Sequence, residues 1–295
     1  MRPLQGMKLL LDRTAVLFVG LAVGATIAMS FLGGGETLGS AQASLPPPPA
    51  GHAQTPEVAA PRLAAAIAQR RRIEVGVFGD SFGDGIWAGL YHQLRGDPDF
   101  EVRQLSERST GFTRYRSLNL LDDIRIKLDR ASVDIAILSF GANDTQGIFD
   151  QGHGHAYMSE GWQRIVTERV TAVVQLLRAR GATVYWVGLP RMRDARFDAD
   201  IQAMNRFYAA RMAALDVPYV ETLPLSVDAD GRYAPYLPAE PGRERRMARA
   251  NDGIHMTIPG YVHLMRGLSD RIRGSVARAR AQAALAPARP PASAG

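Results

Sequence analysis

The chain has 295 residues, of which 46% are hydrophobic and 22% charged, and this composition suits one sizeable globular domain with a buried core. The formal net charge of +6 is spread along the chain, without zinc-finger spacing or basic motifs interleaved with aromatic residues, so we predict no nucleic-acid partner. The absence of cysteine excludes a disulfide framework, a thiolate nucleophile and a cysteine-based metal site.

The N-terminus has the pattern of a membrane-inserted segment. Residues 1–13 are basic, residues 14–32 form an uncharged apolar run long enough to cross a bilayer, and the next Lys or Arg is Arg62. The positive-inside rule predicts a signal-anchored, single-pass protein of the bacterial inner membrane, with its N-terminus in the cytoplasm and the remainder in the periplasm. One alternative is a cleavable signal peptide that ends near Ala41-Gln42-Ala43, and its cleavage would leave a periplasmic or secreted protein. The other alternative is a buried core helix.

Composition divides the rest of the chain into three parts. Residues 33–61 are rich in Pro, Ala and Gly and predict an extended linker. Residues 62–275 have the mixed composition of a folded domain, and residues 276–295 form an Ala/Arg/Pro-rich tail that we expect to be disordered.

Within the predicted domain, short apolar runs alternate with segments of helical apolar spacing. The runs predict strands over residues 73–78, 100–105, 133–140, 183–189 and 217–221. The helical segments are residues 86–94, 118–128, 165–180, 199–215 and 258–272. This alternation predicts an α/β fold with a flavodoxin-like doubly wound sheet of about five parallel strands.

Polar motifs follow several of these strands. Gly79-Asp80-Ser81 follows the first strand, Gly141-Ala142-Asn143-Asp144 follows the third, and Asp252-Gly253-Ile254-His255 lies near the end of the domain. In doubly wound sheets, ligands bind at the carboxyl ends of the strands. A serine hydrolase requires a hydroxyl nucleophile, an imidazole base and a carboxylate that orients the imidazole. The three motifs supply these groups and therefore predict one active site.

Together with Gly111 after the second strand, these motifs resemble the four sequence blocks of the SGNH (GDSL-type) hydrolases. The match includes Phe82 after the serine, follows the family's order and covers the whole predicted domain. With its N-terminal segment, the chain is similar to a membrane-anchored bacterial subgroup without an assigned substrate. The resemblance implies the SGNH hydrolase fold and ester hydrolysis, and we predict no cofactor.

The resemblance and the chemistry assign the same roles. Ser81 is the predicted nucleophile, His255 the base that later protonates the leaving alcohol, and Asp252 the carboxylate that orients the imidazole. The backbone N–H groups of Ser81 and Gly111 and the side-chain amide of Asn143 are the predicted oxyanion hole. We expect Asp144 to cap the segment that follows it and Asp80 to brace a loop, rather than to take part in the chemistry.

Several other patterns in the chain compete with this site. Residues 79–83 also match the G-x-S-x-G elbow of α/β-hydrolases, but that fold places several strands before the serine and separates the acid from the histidine. His153 and His155 lack an obvious third ligand, so we predict no metal site. Residues 145–162 predict a long loop, either beside the substrate cleft as a lid or as an ordinary surface loop. Arg191 and Arg193 either contact an anionic substrate or are solvated.

The sequence thus predicts a serine esterase that works through an acyl-enzyme. Its first predicted substrates are O-acetyl esters of cell-envelope or exported carbohydrate, and a lipid or a small thioester comes next. The alternatives are a carbohydrate O-acyltransferase with the same triad and a non-catalytic module that binds envelope polysaccharide. The predicted partners are a small ester substrate and, through the N-terminal helix, the membrane.

Overall fold

A computed structural model of the protein describes residues 60–238 and 244–285. The predicted cytoplasmic segment, the membrane segment and almost the whole predicted linker lie outside these ranges and stay predictions. Inside them, none of the helices combines the length and the apolar composition of a membrane span.

The described residues form an alternating series of helices and strands. In chain order these are α1 (Pro61–Ala68), β1 (Ile73–Gly79), α2 (Ser81–Leu94), β2 (Phe100–Gln104), α3 (Leu120–Arg130), β3 (Ile135–Ser139), β4 (Ile148–Asp150), β5 (His153–His155), α4 (Glu160–Ala179), β6 (Thr183–Val187), α5 (Ala195–Ala214), β7 (Tyr219–Val220), β8 (Tyr236–Pro238), β9 (Arg245–Met247) and α6 (Ile258–Leu285).

The main sheet has five strands in the order β2-β1-β3-β6-β7, and every neighbouring pair is parallel. This confirms the predicted α/β class and the flavodoxin-like order. The strand order reverses between β1 and β3, and in such sheets the crevice at the reversal is the usual ligand site. The segments that follow β1 and β3 are those that carry Ser81 and Asn143.

Both faces of the sheet are covered, because its strands are apolar on both sides. On β1, Val75 and Val77 belong to the core shared with α1, α2 and α6, whereas Phe78 faces the core shared with α3 and α4. On β3, Ile137 and Leu138 divide in the same way. Successive side chains of a strand point to opposite faces, so continuous apolar runs build two cores.

Helix α1 was not predicted, since its residues begin at the end of the Pro/Ala-rich stretch. Leu63 on α1 is buried against the core that α6 also lines. The carboxylate of Asp134, just before β3, is fully buried and accepts two hydrogen bonds from Arg71, at 2.6 and 2.7 Å. Arg62 of α1 approaches the same carboxylate at 3.4 Å. These contacts attach α1 to the amino end of the sheet.

Part of the tail predicted to be disordered from residue 276 is helical, because α6 continues to Leu285, whereas residues 286–295 lie outside the described ranges. Val276 is buried in the core beneath this extension, and Arg280 forms an ion pair with Asp99. Ala and Arg are also among the strongest helix formers, so the composition that indicated a tail equally favours a helix. The folded domain therefore extends past the predicted boundary.

Helix α2 begins at Ser81, earlier than predicted, because glycines obscure its apolar spacing. A Cβ atom at Gly85 would overlap the ring of Tyr261 on α6, and one at Gly89 would lie 2.6 Å from the Tyr261 carbonyl oxygen. The two glycines therefore allow α2 and α6 to pack closely. This contact joins the helix that carries the serine to the helix that follows the histidine.

Candidate active site

The serine turn joins β1 to α2. Asp80 caps α2, and its side chain accepts a hydrogen bond of 2.8 Å from the Phe82 N–H. A Cβ atom at Gly79 would overlap the carbonyl oxygen of Ser139, so glycine lets the turn press against the end of β3. Ser81 is the first residue of the helix, where backbone N–H groups lack intrahelical acceptors and the helix dipole is positive.

The side chains of Ser81, His255 and Asp252 form a continuous hydrogen-bonded chain. The Ser81 Oγ lies 2.8 Å from His255 Nε2, and His255 Nδ1 lies 2.7 Å from Asp252 Oδ2. With the imidazole proton on Nδ1, the ring donates to the carboxylate and its Nε2 is free to accept the serine proton. The structure thus brings together the three residues that the sequence predicted as nucleophile, base and orienting acid.

Asp252 also shapes the turn on which His255 stands. Its Oδ1 accepts hydrogen bonds from the backbone N–H groups of Ile254 and His255, at 2.8 and 2.9 Å. Partial burial raises the pKa of Asp252, but the bonds from the His255 imidazole and from the two N–H groups outweigh it and lower the pKa to about 2. The carboxylate is therefore ionised at neutral pH, as the orienting role requires.

Two further residues hold the imidazole in place, and neither of them has a role predicted from the sequence. The buried ring of Phe82 stacks on His255, with centroids 5.1 Å apart. Arg249, also buried, donates a hydrogen bond of 2.9 Å to the Ile254 carbonyl oxygen from beneath the turn. Burial lowers the pKa of this guanidinium. The place of Phe82 directly after the serine could have indicated its contact with the site. Nothing in the local sequence indicates that Arg249 is buried.

Asn143 lies beside the serine turn but donates to protein groups in this structure. Its Nδ2 is 2.9 Å from the Thr110 carbonyl oxygen and 3.3 Å from Asp80 Oδ2. An amide nitrogen has two hydrogens, and the longer contact is the weaker one. The structure therefore places Asn143 next to the predicted oxyanion loop, with one hydrogen bonded firmly to the backbone next to Gly111.

Asp144 braces that same loop, and does not cap the segment that follows it as the sequence predicted. Its buried carboxylate accepts hydrogen bonds from the N–H and the hydroxyl of Thr113, at 2.7 and 2.8 Å. A Cβ atom at Gly111 would lie 2.5 Å from Asp144 Oδ1, so only glycine permits this approach. Burial raises the pKa of Asp144, and the hydrogen bonds from Thr113 oppose the shift.

Residues 145–162, predicted as one long loop, contain a hairpin. Strands β4 and β5 pair in antiparallel fashion, and α4 begins at Glu160. The exposed ring of Phe149 on β4 lies under the guanidinium of Arg116, whose Cζ is 4.6 Å from the ring centroid. The hairpin was missed because three-residue strands are too short to show an alternating pattern. A role as a lid stays a prediction.

The structure gives different surroundings to the two arginines that were candidates for substrate contact. Arg191 pairs with the largely buried Asp198 at 2.6 Å and so serves the fold, whereas Arg193 is exposed beside the histidine turn. His153 and His155 both lie on β5. Among residues 60–238 and 244–285, no group of three His, Cys, Asp or Glu side chains is arranged to hold a metal ion.

The strand order and the serine turn after the first strand agree with the fold that the resemblance to the SGNH hydrolases implied. A family model described as "Protein of unknown function (DUF459)" matches residues 74–271, and the chain belongs to this family. No curated protein matches the chain in sequence.

Solved structures similar to this chain include acylhydrolases and esterases. One is a putative acylhydrolase from Bacteroides fragilis, with 16% identity, 74% of this chain and 96% of that chain covered, and a TM-score of 0.47. A second is a GDSL-like lipase from Bacteroides thetaiotaomicron, with 17% identity and a TM-score of 0.48. The match covers 74% of this chain and 97% of the lipase. A third is Est24, a carbohydrate acetylesterase from Sinorhizobium meliloti, with 15% identity, 69% and 99% coverage, and a TM-score of 0.46.

Proposed function

We propose that this protein is a serine esterase that cleaves acyl esters through a covalent Ser81 intermediate. The observation that carries the proposal is the hydrogen-bonded chain from Asp252 through His255 to Ser81, with contacts of 2.7 and 2.8 Å. A serine hydroxyl is a weak nucleophile at neutral pH, and a base within hydrogen-bonding distance is the usual means of activating it. The position of the serine at the carboxyl end of β1, next to the reversal of strand order, gives a substrate access to it.

The reaction takes place in two halves. His255 Nε2 accepts the hydroxyl proton as Ser81 Oγ attacks the ester carbonyl carbon, and the resulting imidazolium is stabilised by Asp252. His255 then returns the proton to the departing alkoxide, and the C–O bond to the alcohol breaks to leave the acyl-serine. In the second half, water loses a proton to His255 and attacks the acyl carbon. The carboxylic acid departs and Ser81 recovers its proton.

The developing negative charge on the carbonyl oxygen requires donors. We assign this role to the backbone N–H of Ser81 at the start of α2, to the N–H of Gly111 and to the side-chain amide of Asn143. One hydrogen of Asn143 Nδ2 is bonded to the Thr110 carbonyl oxygen, and the second, whose contact with Asp80 is weaker at an Nδ2–Oδ2 distance of 3.3 Å, is the one we assign to the oxyanion.

For the substrate we propose O-acetyl esters of cell-envelope or exported carbohydrate. Support comes from the predicted export of the domain and from the predicted linker, which would allow the domain to reach outward from the inner membrane. A carbohydrate O-acyltransferase would use the same triad, but it transfers the acyl group to an alcohol rather than to water. Hydrolysis of an aryl acetate with no acceptor alcohol present therefore favours the esterase.

The test combines covalent labelling with turnover. A fluorophosphonate should label the wild type and not Ser81→Ala, because the reagent needs an activated hydroxyl. Aryl acetate turnover should fall by ~10⁴–10⁶ in Ser81→Ala or His255→Gln. Ser132→Ala, at the opposite end of the sheet, is the matched control and should retain label and turnover. Equal labelling of wild type and Ser81→Ala would exclude this function.

A further inference from the structure

The side chain of Arg193 lies directly against the turn that carries the catalytic pair. Its backbone N–H donates a hydrogen bond of 3.0 Å to the Gly253 carbonyl oxygen. A Cβ atom at Gly253 would lie 2.5 Å from Arg193 Nε and 2.8 Å from its Cζ. Gly253 has a φ of 75°, in the left-handed region that favours glycine. The glycine therefore allows both the turn and the close approach of the Arg193 side chain to it.

This guanidinium has no counter-ion in the described part of the chain. Arg191, two residues earlier, is paired with Asp198 at 2.6 Å, and Arg249 bonds the Ile254 carbonyl oxygen. Arg193 is exposed, and its side chain makes no hydrogen bond or ion pair with residues 60–238 or 244–285. Asp252, the acidic group nearest along the turn, is already bonded through both of its oxygens.

The location of Arg193 indicates which part of a substrate it meets. In the proposed reaction the acyl carbon is bonded to Ser81, and His255 Nε2 gives its proton to the leaving oxygen. The alcohol part of the ester must therefore lie on the side of His255. Since Arg193 lies against the turn that carries His255, the alcohol part is the part of the ester on its side of the site.

A second arginine, on the loop after β2, forms no direct ion pair with the described residues. Arg114 donates to the Ser109 carbonyl oxygen at 3.1 Å, and its charge lowers the pKa of the buried Asp80 and Asp144 against the larger effect of burial. In the sheet order, the loops after β2 and β6 flank the central strands β1 and β3. Positive charge thus borders the site from two loops, which favours anionic substrates.

We infer that Arg193 binds an anionic group on the alcohol part of the substrate, which makes the preferred substrates acyl esters of acidic carbohydrates. This inference rests on the proposed esterase function. The shared chemistry is an oxyanion that accepts parallel hydrogen bonds from a guanidinium, and both a sugar carboxylate and a phosphate on a polymer provide it.

The test uses esters that differ only in charge. 4-Acetoxybenzoate carries a carboxylate on its alcohol part, 4-acetoxyphenyl phosphate carries a phosphate, and methyl 4-acetoxybenzoate is the neutral match. Arg193→Gln should lower kcat/KM for the anionic esters by about 10- to 100-fold, the usual worth of a charge-assisted hydrogen bond. It should leave the neutral ester unchanged. The anionic ester that shows the larger loss of kcat/KM identifies the preferred anion. For that ester, the kcat/KM of Arg193→Lys should lie between those of wild type and Arg193→Gln.

Arg196→Gln is the matched control, since Arg196 is exposed on the same segment and should affect no ester. Equal losses on neutral and anionic esters in Arg193→Gln, no loss on either, or the same loss in Arg196→Gln would each overturn the inference while leaving the esterase function intact. If the wild type hydrolysed none of the three esters, the proposed function would fail instead. Calorimetric binding of 4-hydroxybenzoate then decides the inference: weaker binding to Arg193→Gln supports it, and equal binding refutes it.

Discussion

The buried carboxyl of Asp80 makes stability depend on pH in a way that one substitution should remove. Asp80 is fully buried behind the serine turn, where it caps α2. Burial raises its pKa from 3.8 to about 7; the hydrogen bond from the Phe82 N–H opposes this shift, and the nearby charge of Asp144 adds to it. The folded protein therefore keeps this group protonated at pH values where the unfolded chain has already released the proton.

The sign and size of the effect follow from proton linkage. The stabilisation that depends on Asp80 being protonated is fully present below pH 3.8 and is lost as the pH rises to about 7. Since each pH unit in this window is worth about 1.36 kcal/mol, the total loss is about 4 kcal/mol. The amide introduced by Asp80→Asn carries no titrating proton, and its oxygen would still accept from the Phe82 N–H. This variant should therefore gain stability relative to wild type as the pH rises.

Urea unfolding of the wild type and of Asp80→Asn between pH 4 and pH 8 measures this difference directly. Titrations common to both proteins cancel in the comparison. The free energy of unfolding of the variant relative to wild type should increase by about 4 kcal/mol across the range. A difference that stays constant with pH would show that Asp80 is ionised in the folded protein, and the argument from burial would be wrong.

Asp84→Asn is the control of opposite sign. Burial raises the pKa of Asp84, but hydrogen bonds from Ser106, Arg108 and Gln104 together outweigh it, so the pKa is lowered. Its contribution to stability is present above pH 3.8 and is lost as the pH falls below that value. Asp84→Asn should therefore be most destabilised near neutral pH, where Asp80→Asn is most stabilised.

Three further substitutions test the site and its support. Asn143→Ala should lower kcat on aryl acetates by ~10²–10³, the usual loss for one oxyanion donor, and unchanged turnover would remove Asn143 from that role. Asp252→Asn should lower kcat by ~10⁴ because an amide favours the wrong imidazole tautomer, and a loss confined to KM would argue against this. Gly85→Ala should lower the free energy of unfolding by ~1–3 kcal/mol, because the added methyl group would overlap Tyr261. Gly96→Ala is the control, since its methyl group would meet open space. Equal melting temperatures of the two variants would contradict the packing argument.

The main elements of the fold were predictable because their signals are local. Apolar runs such as Ile73–Phe78 mark strands buried on both faces, and the helix Ile165–Arg180 has clear apolar spacing. The site followed from the same pattern, since the carboxyl ends of parallel strands meet at one edge of the sheet. The structure places Ser81, His255 and Asp252 together at this edge.

The unpredicted features depend on contacts between distant residues. Helix α1 has the composition of a linker, and it is held by the buried Asp134, far along the chain. Arg249 has the chemistry of a surface residue, yet it is buried and donates to the carbonyl oxygen of Ile254. No short-range pattern records either contact. Tertiary packing overrides composition in both cases.

The geometry of the site depends on one helix pair as well as on the sheet. Helix α2 carries Ser81 and Phe82 at its start, while the histidine turn runs directly into α6, which carries Tyr261. The stacking of Phe82 on His255 and the close approach of α2 to Tyr261 fix these two segments against each other. A shift between them would lengthen the contact between the serine hydroxyl and the imidazole without changing either residue. Small residues at the α2–α6 interface therefore help to set the contact between Ser81 and His255 that the proposed reaction requires.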